Sequence, residues 1–370
     1  MPTSITPTYP NEKIYALTLE KLIPEISFEI TRAQPLTARL FQTGCVEYYD
    51  SNAVKLPVEL VDSPNISNVP LHGTYATAAT NAPKAALFTH TGKKRGSFIV
   101  DKTELGQMGG KPQALIRANQ QQVVESFAVS LERELIGGVT VSTHPSYDAN
   151  AFNGLLSMLE ARTEATQDYT VGGISKNTYA NWRNRFATMS TFAVDGKPAW
   201  TQVYQQCSRL GSFPDTMLTD ETVWRLYEET VAANVVLQAK EMAMPGFDNL
   251  MFRNAIVLAS SEFANITYPV TTVLDGTIDG FTFFLTLRGE AVKEFGLSAE
   301  AFKTPGSNRE YKGKGKGMNL YITRSDDFRV EGPTKMPNAD VLQTDIILSG
   351  QMATRSLLRN GITKFTGSVQ

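Results

Sequence analysis

The chain has 370 residues, of which 42% are apolar and 19% are charged, which is the composition of a folded protein with a sizeable core. Its 35 basic and 37 acidic residues leave a net charge of −2, which argues against a protein dedicated to coating nucleic acid. Two cysteines and three histidines exclude a disulfide framework and a Cys/His zinc site. Neither an apolar run of about 18 residues nor a signal peptide is visible, so we expect a protein that folds in the cytoplasm and does not enter a membrane.

The N-terminal region is predicted to be an extended arm. Pro2, Pro7 and Pro10 fall close together and disfavour a helix there. A short helical pattern follows at residues 17–23 and ends before Pro24.

Residues 53–103 alternate short strand-like pieces, AVKLPVELV and SFIVD, with turn residues. The part between them, HGTYATAATNAPKAALFTHTGKKRG, has too few large apolar side chains to build a core of its own. A mobile loop is one interpretation. The other, which we favour, is an arm whose partner surface lies on another molecule.

The clearest predicted element is a helix over residues 111–136. Pro112 suits a first helical turn, and Gly137 and Gly138 suit the C-terminal cap. Its apolar stripe consists of Ile116, Val123, Phe127, Leu131 and Leu135. Its other face carries Gln120, Gln121, Glu125, Glu132 and Arg133. At 1.5 Å per residue the helix is about 40 Å long and is expected to lie across a sheet or another domain.

Further helices are predicted at residues 150–162 and 176–188. Another begins near Thr219, a plausible N-cap that Asp220 and Glu221 follow in the first turn. After residue 250 the pattern changes to strands: NAIVLAS, TYPVTTVL, GFTFFLTL, MNLYITR, FRVEG and TDIILSG. This order indicates an α+β fold rather than a doubly wound sheet or a barrel.

The search for chemistry gives no catalytic, cofactor-binding or metal-binding residue. GQMGGKP at 106–112 fails as a phosphate loop because Leu105 stands where its first glycine should be. The loop Lys312–Gly317 is predicted to be solvated, with phosphate contact as the alternative. Asp326 and Asp327 are adjacent, so we interpret them as a turn and not as an acid/base pair. The cysteines, Cys45 and Cys207, and the tryptophans, Trp182, Trp200 and Trp224, are interpreted as core residues.

Several sequence blocks occur in a distinctive order. They are PQALIRANQQQVVESFAVSLERELIGG, FNGLL (152–156), GGISKNTYANWRNRF (172–186), GSFPDTMLTDETVWRLYEE (211–229), LMFRNAIVLASSEF, GFTFFLTLRGEAVKEF and DIILSGQMATRSLLRNGITKFTG (345–367). In this order they resemble the major capsid proteins of tailed bacteriophages, whose shell fold is named after phage Hong Kong 97. The chain departs from the family pattern at Asn181, where a tryptophan is usual, and at Thr286, where an asparagine is usual.

The resemblance implies an α+β, Hong Kong 97-like fold. Its parts would be an N-terminal arm at 1–45, an extended loop at 46–110, a peripheral domain at 111–170 and 331–370 with the long helix at 111–136, and an axial domain at 171–330. It implies a structural protein of the virion, not an enzyme, which forms an icosahedral shell around DNA after assembly in the host cytoplasm. Deleting residues 70–95 is then expected to leave a folded chain that cannot form stable shells.

The implied partners are other copies of the chain in pentamers and hexamers, in contact through the extended loop and the N-terminal arm. The resemblance also implies three further partners: a separate scaffolding protein, a portal, and double-stranded DNA held by non-specific contact. It implies no membrane and no cofactor. Some relatives join a loop lysine to an asparagine of a neighbour; Lys84, Lys93, Lys94 and Asn360 supply such atoms here, without a motif that links them.

Three alternatives remain open. A cellular encapsulating shell of the same fold would differ from a virus only in what it contains. An α+β enzyme with an unrecognised site predicts a small oligomer with one dominant pocket. Another virion component, such as a tail-tube or decoration protein, would be shorter and richer in strands.

Overall fold

Two β-sheets and one long helix organise the chain in the computed structural model. The structure describes residues 34–50, 53–58, 84–89, 92–101, 112–138, 148, 150–208, 213–232, 250–266, 280–287, 317–335 and 341–366. Most of the predicted N-terminal arm, the predicted helix at 17–23, the predicted strand TYPVTTVL and residues 312–316 lie outside these ranges.

The described helices are α1 (Pro35–Gln42), α2 (Pro112–Gly137), α3 (Leu155–Met158), α4 (Lys197–Cys207) and α5 (Glu221–Ala232). Short 3₁₀ turns cover Glu164–Thr166, Ala180–Trp182, Ser261–Asn265 and Arg324–Asp326, and a π-turn covers Phe192–Gly196. The prediction of the long helix α2 is confirmed within one residue at each end. It stops where predicted, because the N–H of Gly138 closes the last turn on the carbonyl of Glu134 at 2.8 Å.

The predicted apolar stripe of α2 is buried except at the half-buried Val123, and the opposite face of the helix is not uniformly exposed. Phe127, Leu131 and Leu135 are buried, whereas Gln120 and Glu132, which were expected to face solvent, are buried as well. The helix therefore packs on two sides. One contact is very close: a Cβ at Gly96 would lie 2.9 Å from the Phe127 ring, so only glycine lets this strand and the helix approach.

The first sheet has five strands, and α2 packs against it. They are β1 (Val46–Tyr49), β4 (Lys93–Asp101), β12 (Met318–Thr323), β13 (Arg329–Lys335) and β14 (Val341–Thr354). The long strand β14 is central: it pairs antiparallel with β4, β12 and β13, while β1 adds in parallel to β12. The sequence TGKKRG was among the segments interpreted as turn residues between the strand-like pieces; that interpretation is wrong, because Lys93–Gly96 form the first part of β4.

The second sheet has six strands in the order β7, β15, β11, β8, β10, β9. They are β7 (Arg185–Met189), β8 (Thr216–Thr219), β9 (Leu250–Phe252), β10 (Ala255–Ala259), β11 (Gly280–Leu285) and β15 (Gly361–Phe365). Two small antiparallel pairs complete the described strands: β2 (Ala53–Val58) with β3 (Lys84–Thr89), and β5 (Thr170–Val171) with β6 (Ile174–Ser175).

Both faces of the six-stranded sheet are buried, which explains the uninterrupted apolar run in GFTFFLTL. Phe283 and its alternate neighbours join the main core, which extends to α2 and to the hairpin β2–β3. Phe284 faces the opposite side and packs with Trp200 of α4 in a second cluster. Trp182 and Trp200 are fully buried, and Cys45 and Cys207 are buried thiols that form no disulfide, so these core predictions are confirmed. Trp224, predicted with them, is only half-buried at the edge of the second cluster.

Strand pairing crosses the predicted domain boundaries in several places, of which two involve the peripheral and axial domains. Strand β15, which the prediction assigned to the peripheral domain with the long helix, pairs with β7 and β11 of the six-stranded sheet. Strand β12, which the prediction assigned to the axial domain, pairs with β14 in the five-stranded sheet. The position of a strand along the sequence does not reveal the sheet to which it belongs, because strand pairing joins segments that are far apart along the chain.

The predicted helix at 176–188 is wrong, and the one at 150–162 is reduced to the single turn α3. Residues 180–182 form a 3₁₀ turn, and β7 follows directly. The side chains at these helix-like positions bind neighbouring turns instead of forming a helix face. The Trp182 indole N–H donates to the Val171 carbonyl at 3.0 Å, and Arg183 Nε donates to the Lys176 carbonyl at 2.8 Å. Conversely, helix α4 was missed, although Trp200, Val203 and Cys207 have helical spacing.

Helix α5 begins one residue later than predicted, because its N-cap is Asp220 and not Thr219, which ends β8. Asp220 Oδ1 accepts a hydrogen bond from the Thr222 N–H at 2.7 Å. We expect Asp220→Ala to lower the free energy of unfolding by about 1 kcal/mol in urea titrations, because a donor of the first turn loses its partner. Asp220→Asn keeps the acceptor and serves as the control; an equal loss in both variants would contradict the cap.

Candidate functional site

The hairpin β2–β3 is anchored on the body of its own chain. Val54, Leu56 and Phe88 are buried in the main core. The Leu87 N–H donates to the Gly172 carbonyl at 2.9 Å, and Gln351 Nε2 donates to the Phe88 carbonyl at 2.8 Å. The favoured interpretation of this region, an arm whose partner surface lies on another molecule, was therefore wrong for residues 84–89, which pack against their own chain. The connecting residues 59–83 lie outside the described part of the chain.

An open groove of about 800 Å³ runs between strand β4 and helix α2. Its lining is mostly polar and includes Ser97, Gln122, Ser126 and Ser130. Among the described strands, β4 pairs only with β14, so its other backbone edge has no strand partner there. The groove is shaped more like an interaction surface than like an enclosed substrate pocket.

Three ion pairs fix the basic end of β4 to the rest of the fold. Lys93 contacts Asp326 at 2.8 Å, while Lys94 pairs with Glu134 and Arg95 with Asp345. Burial opposes ionisation of Asp326, but hydrogen bonds from Lys93 and Ser349 outweigh it and lower the pKa of this carboxyl. These basic side chains are thus occupied within the subunit and do not form an unpaired basic stripe.

A buried carboxylate joins α1 to the long helix. Glu132 accepts hydrogen bonds from the Leu36 N–H at 2.8 Å, the Thr37 N–H at 2.9 Å and the Thr37 hydroxyl at 2.8 Å. It thereby satisfies donors of the first turn of α1, which has no cap from its own N-cap residue. Burial raises the pKa of Glu132 to about 7, although these hydrogen bonds act in the opposite direction.

The raised pKa of Glu132 predicts a pH-dependent stability. The contribution is fully present below the unfolded pKa near 4.5 and is lost as the pH rises through about 7. Between pH 5.5 and 8.5 we expect a loss of about 2 kcal/mol relative to Glu132→Gln, which does not titrate. Urea unfolding of both proteins across this range measures it. Equal pH dependence of the two would contradict the assignment.

The residues tested as catalytic candidates do not form an active site. Asp326 is held by Lys93 and Ser349, whereas burial raises the pKa of Asp327, which hydrogen-bonds to Tyr48. The two carboxyls therefore have separate partners and lie in a turn, as expected. Burial also raises the pKa of the Cys207 thiol, which disfavours a thiolate. Within the described ranges there is no cluster of metal-ligating side chains and no helix long and apolar enough to cross a bilayer.

Within one subunit, Asn360, Lys93 and Lys94, which were considered for an intersubunit cross-link, have other partners. Asn360 is fully buried: its Oδ1 accepts from the Thr286 N–H at 3.0 Å, and its Nδ2 donates to the Ser356 carbonyl at 2.9 Å. Lys93 and Lys94 are engaged in the ion pairs of β4. The side chain of Lys84 lies outside the described part of the structure.

Sequence reasoning missed two buried polar features, Glu132 and the pair formed by Lys176 and Glu160. A signal for Glu132 exists, because it continues the row Gln120, Val124 and Ala128 at steps of four, and all of these are buried. No comparable signal identifies the second pair, since Glu160 and Lys176 meet through turns rather than through a regular element.

The fold is shared with known shell proteins. No protein-family model and no curated protein matches the chain. The cyanophage A-1(L) capsid is 12% identical over 89% of this chain and 92% of its own, with a TM-score of 0.56. The capsid of a native GTA particle is 9% identical over 88% of this chain and 89% of its own, with a TM-score of 0.51. The SrpI encapsulin of Synechococcus elongatus is 10% identical over 86% of this chain and 84% of its own, with a TM-score of 0.48.

The chain therefore has the α+β, Hong Kong 97-like shell fold, and the predicted resemblance to phage capsid proteins is confirmed at the level of fold. The match to the cyanophage capsid covers about nine tenths of each chain.

Proposed function

We propose that this chain is the major capsid protein of a tailed bacteriophage, whose copies form the icosahedral shell that encloses the viral DNA. The observation that carries this proposal is the match to the cyanophage capsid over 89% of this chain and 92% of the other. Because the match covers 89% of the given sequence, only about a tenth of that sequence lies outside the shared fold. The protein acts as a structural component of the virion and not as an enzyme.

Copies of the chain contact one another in pentamers and hexamers. The residues that join β2 to β3 and the N-terminal arm reach neighbouring subunits, and the groove between β4 and α2 receives such a segment. Two features support this: one edge of β4 has no strand partner among the described residues, and the groove is open and polar. Closed rings of such contacts generate a container.

The charge of the chain suits a shell around DNA. A net charge of −2 limits repulsion between many copies, and the basic residues at the start of β4 are paired internally. Contact with packaged double-stranded DNA is then non-specific. A separate scaffolding protein and a portal complete the assembly in the host cytoplasm.

Negative-stain electron microscopy and sedimentation of the purified protein, with and without a candidate scaffold, test the proposal. We expect closed shells, or five- and six-membered rings. A monodisperse monomer or dimer in both conditions would contradict the proposal and favour the enzyme alternative. The shell contents decide between a virus and an encapsulating compartment: nuclease-protected DNA supports the virus, and a protein cargo supports the compartment.

A further inference from the structure

Three side chains of complementary chemistry meet in the interior beside β6 and β7. Lys176 and Asn184 are fully buried, and Glu160 is 2% exposed. Lys176 Nζ lies 2.9 Å from Asn184 Oδ1 and 3.2 Å from Glu160 Oε1. The Lys176 amine thus contacts both the Asn184 amide and the Glu160 carboxylate in the buried interior.

The surroundings make the Lys176 ammonium easier to deprotonate than that of an exposed lysine. Burial lowers the pKa of this lysine to about 8, and the nearby charge of Glu160 offsets only part of the effect. The ring of Tyr169 lies 5.8 Å from Nζ, and the Met158 carbonyl accepts a hydrogen bond from it at 2.6 Å. Glu160 is the adjacent proton acceptor, and its carboxylate is held by the N–H groups of Asp168 and Tyr169.

The Asn184 amide is fixed and polarised. Its Oδ1 accepts the Glu160 backbone N–H at 2.9 Å, and its Nδ2 donates to the Glu160 carbonyl at 2.9 Å. The backbone N–H is therefore placed to stabilise negative charge that develops on Oδ1 during attack on the amide carbon. Since Lys176 Nζ is in hydrogen-bond contact with Asn184 Oδ1, the amide carbon Cγ of Asn184 lies within about 4 Å of Nζ.

We propose that Lys176 and Asn184 form an intramolecular isopeptide bond, with Glu160 as the base. The Lys176 ammonium passes one proton to Glu160, and Nζ then attacks the amide carbon of Asn184. The Nζ–Cγ bond forms and the Cγ–Nδ2 bond breaks, while the second proton of the amine is transferred to Nδ2, which leaves as ammonia. The products are a secondary amide, one ammonia molecule and a protonated Glu160, so atoms and charge balance without any further reactant.

The reaction removes an energetic cost of the fold. A buried ammonium and carboxylate pair is expensive to desolvate, and the products are a neutral amide and a neutral acid. The new bond closes a ring over residues 176–184 and ties the end of β6 to the start of β7. This inference does not depend on shell formation, because it concerns a single folded subunit.

Mass spectrometry of the purified, denatured full-length protein tests the bond. We expect an intact mass lower by one ammonia molecule than the sequence requires. Trypsin should not cleave after Lys176, and digestion should yield residues 163–183 joined to the dipeptide 184–185. An unmodified peptide 163–176 at full yield would overturn the proposal. A succinimide also loses ammonia, so the branched peptide decides between them.

Variants separate the roles of the three residues. Lys176→Arg keeps the positive charge but is not a nucleophile here, and it should show the full sequence mass. Glu160→Gln should also stay unmodified; formation of the bond in this variant would overturn the role of Glu160. Asn184→Asp should lose water instead of ammonia if it reacts. The wild-type digest is decisive even if one of these variants fails to fold.

Discussion

Replacing Glu132 by alanine is expected to lower the free energy of unfolding by about 3 kcal/mol at pH 6, because buried donors at the start of α1 lose their acceptor. The carboxylate receives two backbone N–H groups and the hydroxyl of Thr37. Its raised pKa means that the native state carries the cost of a buried charge only at higher pH. The effect of the substitution should therefore be smaller at pH 8.5 than at pH 6.

Urea unfolding measures the loss, and hydrogen exchange locates it. The amides of α1 should lose protection first, since the contact connects that helix to α2. Glu125→Ala, on the exposed side of the same helix, is the matched control and should change stability by less than about 0.5 kcal/mol. Equal losses in the two variants, or unchanged protection of α1, would contradict the proposed role of Glu132.

Regular, locally encoded elements were predictable from the sequence. The long helix, strands β10 to β14 and the buried tryptophans follow from periodicity and apolar content. The resemblance to capsid proteins was predictable because short blocks kept their order, even though identity to the matching structures is as low as 9% to 12%.

The failures concern features that only the tertiary fold defines. Residues 176–188 have helical spacing, yet their aromatic and basic side chains bond to the backbone of neighbouring turns. Glu132 is an ordinary surface residue by type, and only the approach of α1 makes it an acceptor at the helix N-terminus. The groove along β4 was not predictable either. It depends on the pairing of β14 with one edge of β4, and the local sequence does not reveal which strands will pair.

The largest effect on assembly is expected when residues 59–83 are replaced by the two residues Asn-Gly. Val58 and Lys84 are paired directly, so a two-residue turn can close the hairpin and leave β2 and β3 in place. The shortened chain should fold normally but form no closed shells, because it lacks the segment proposed to reach a neighbour. The deletion of 70–95 suggested by the sequence alone is unsuitable, since it removes β3, with the buried Phe88, and the start of β4.

Folding and assembly must be measured separately for this variant. The free energy of unfolding in urea should agree with that of the parent within about 1 kcal/mol, because shortening the connection between two paired strands changes mainly the entropy of chain closure. Electron microscopy and sedimentation should then show free subunits or open rings under conditions in which the parent forms shells. A second variant, in which a Gly/Ser linker of the original length replaces residues 59–83, separates the effect of length from that of sequence. If neither variant forms closed shells, the native sequence of this segment is needed for the contact between subunits. Normal shells from the shortened chain would refute that role and leave the groove between β4 and α2 without its proposed occupant.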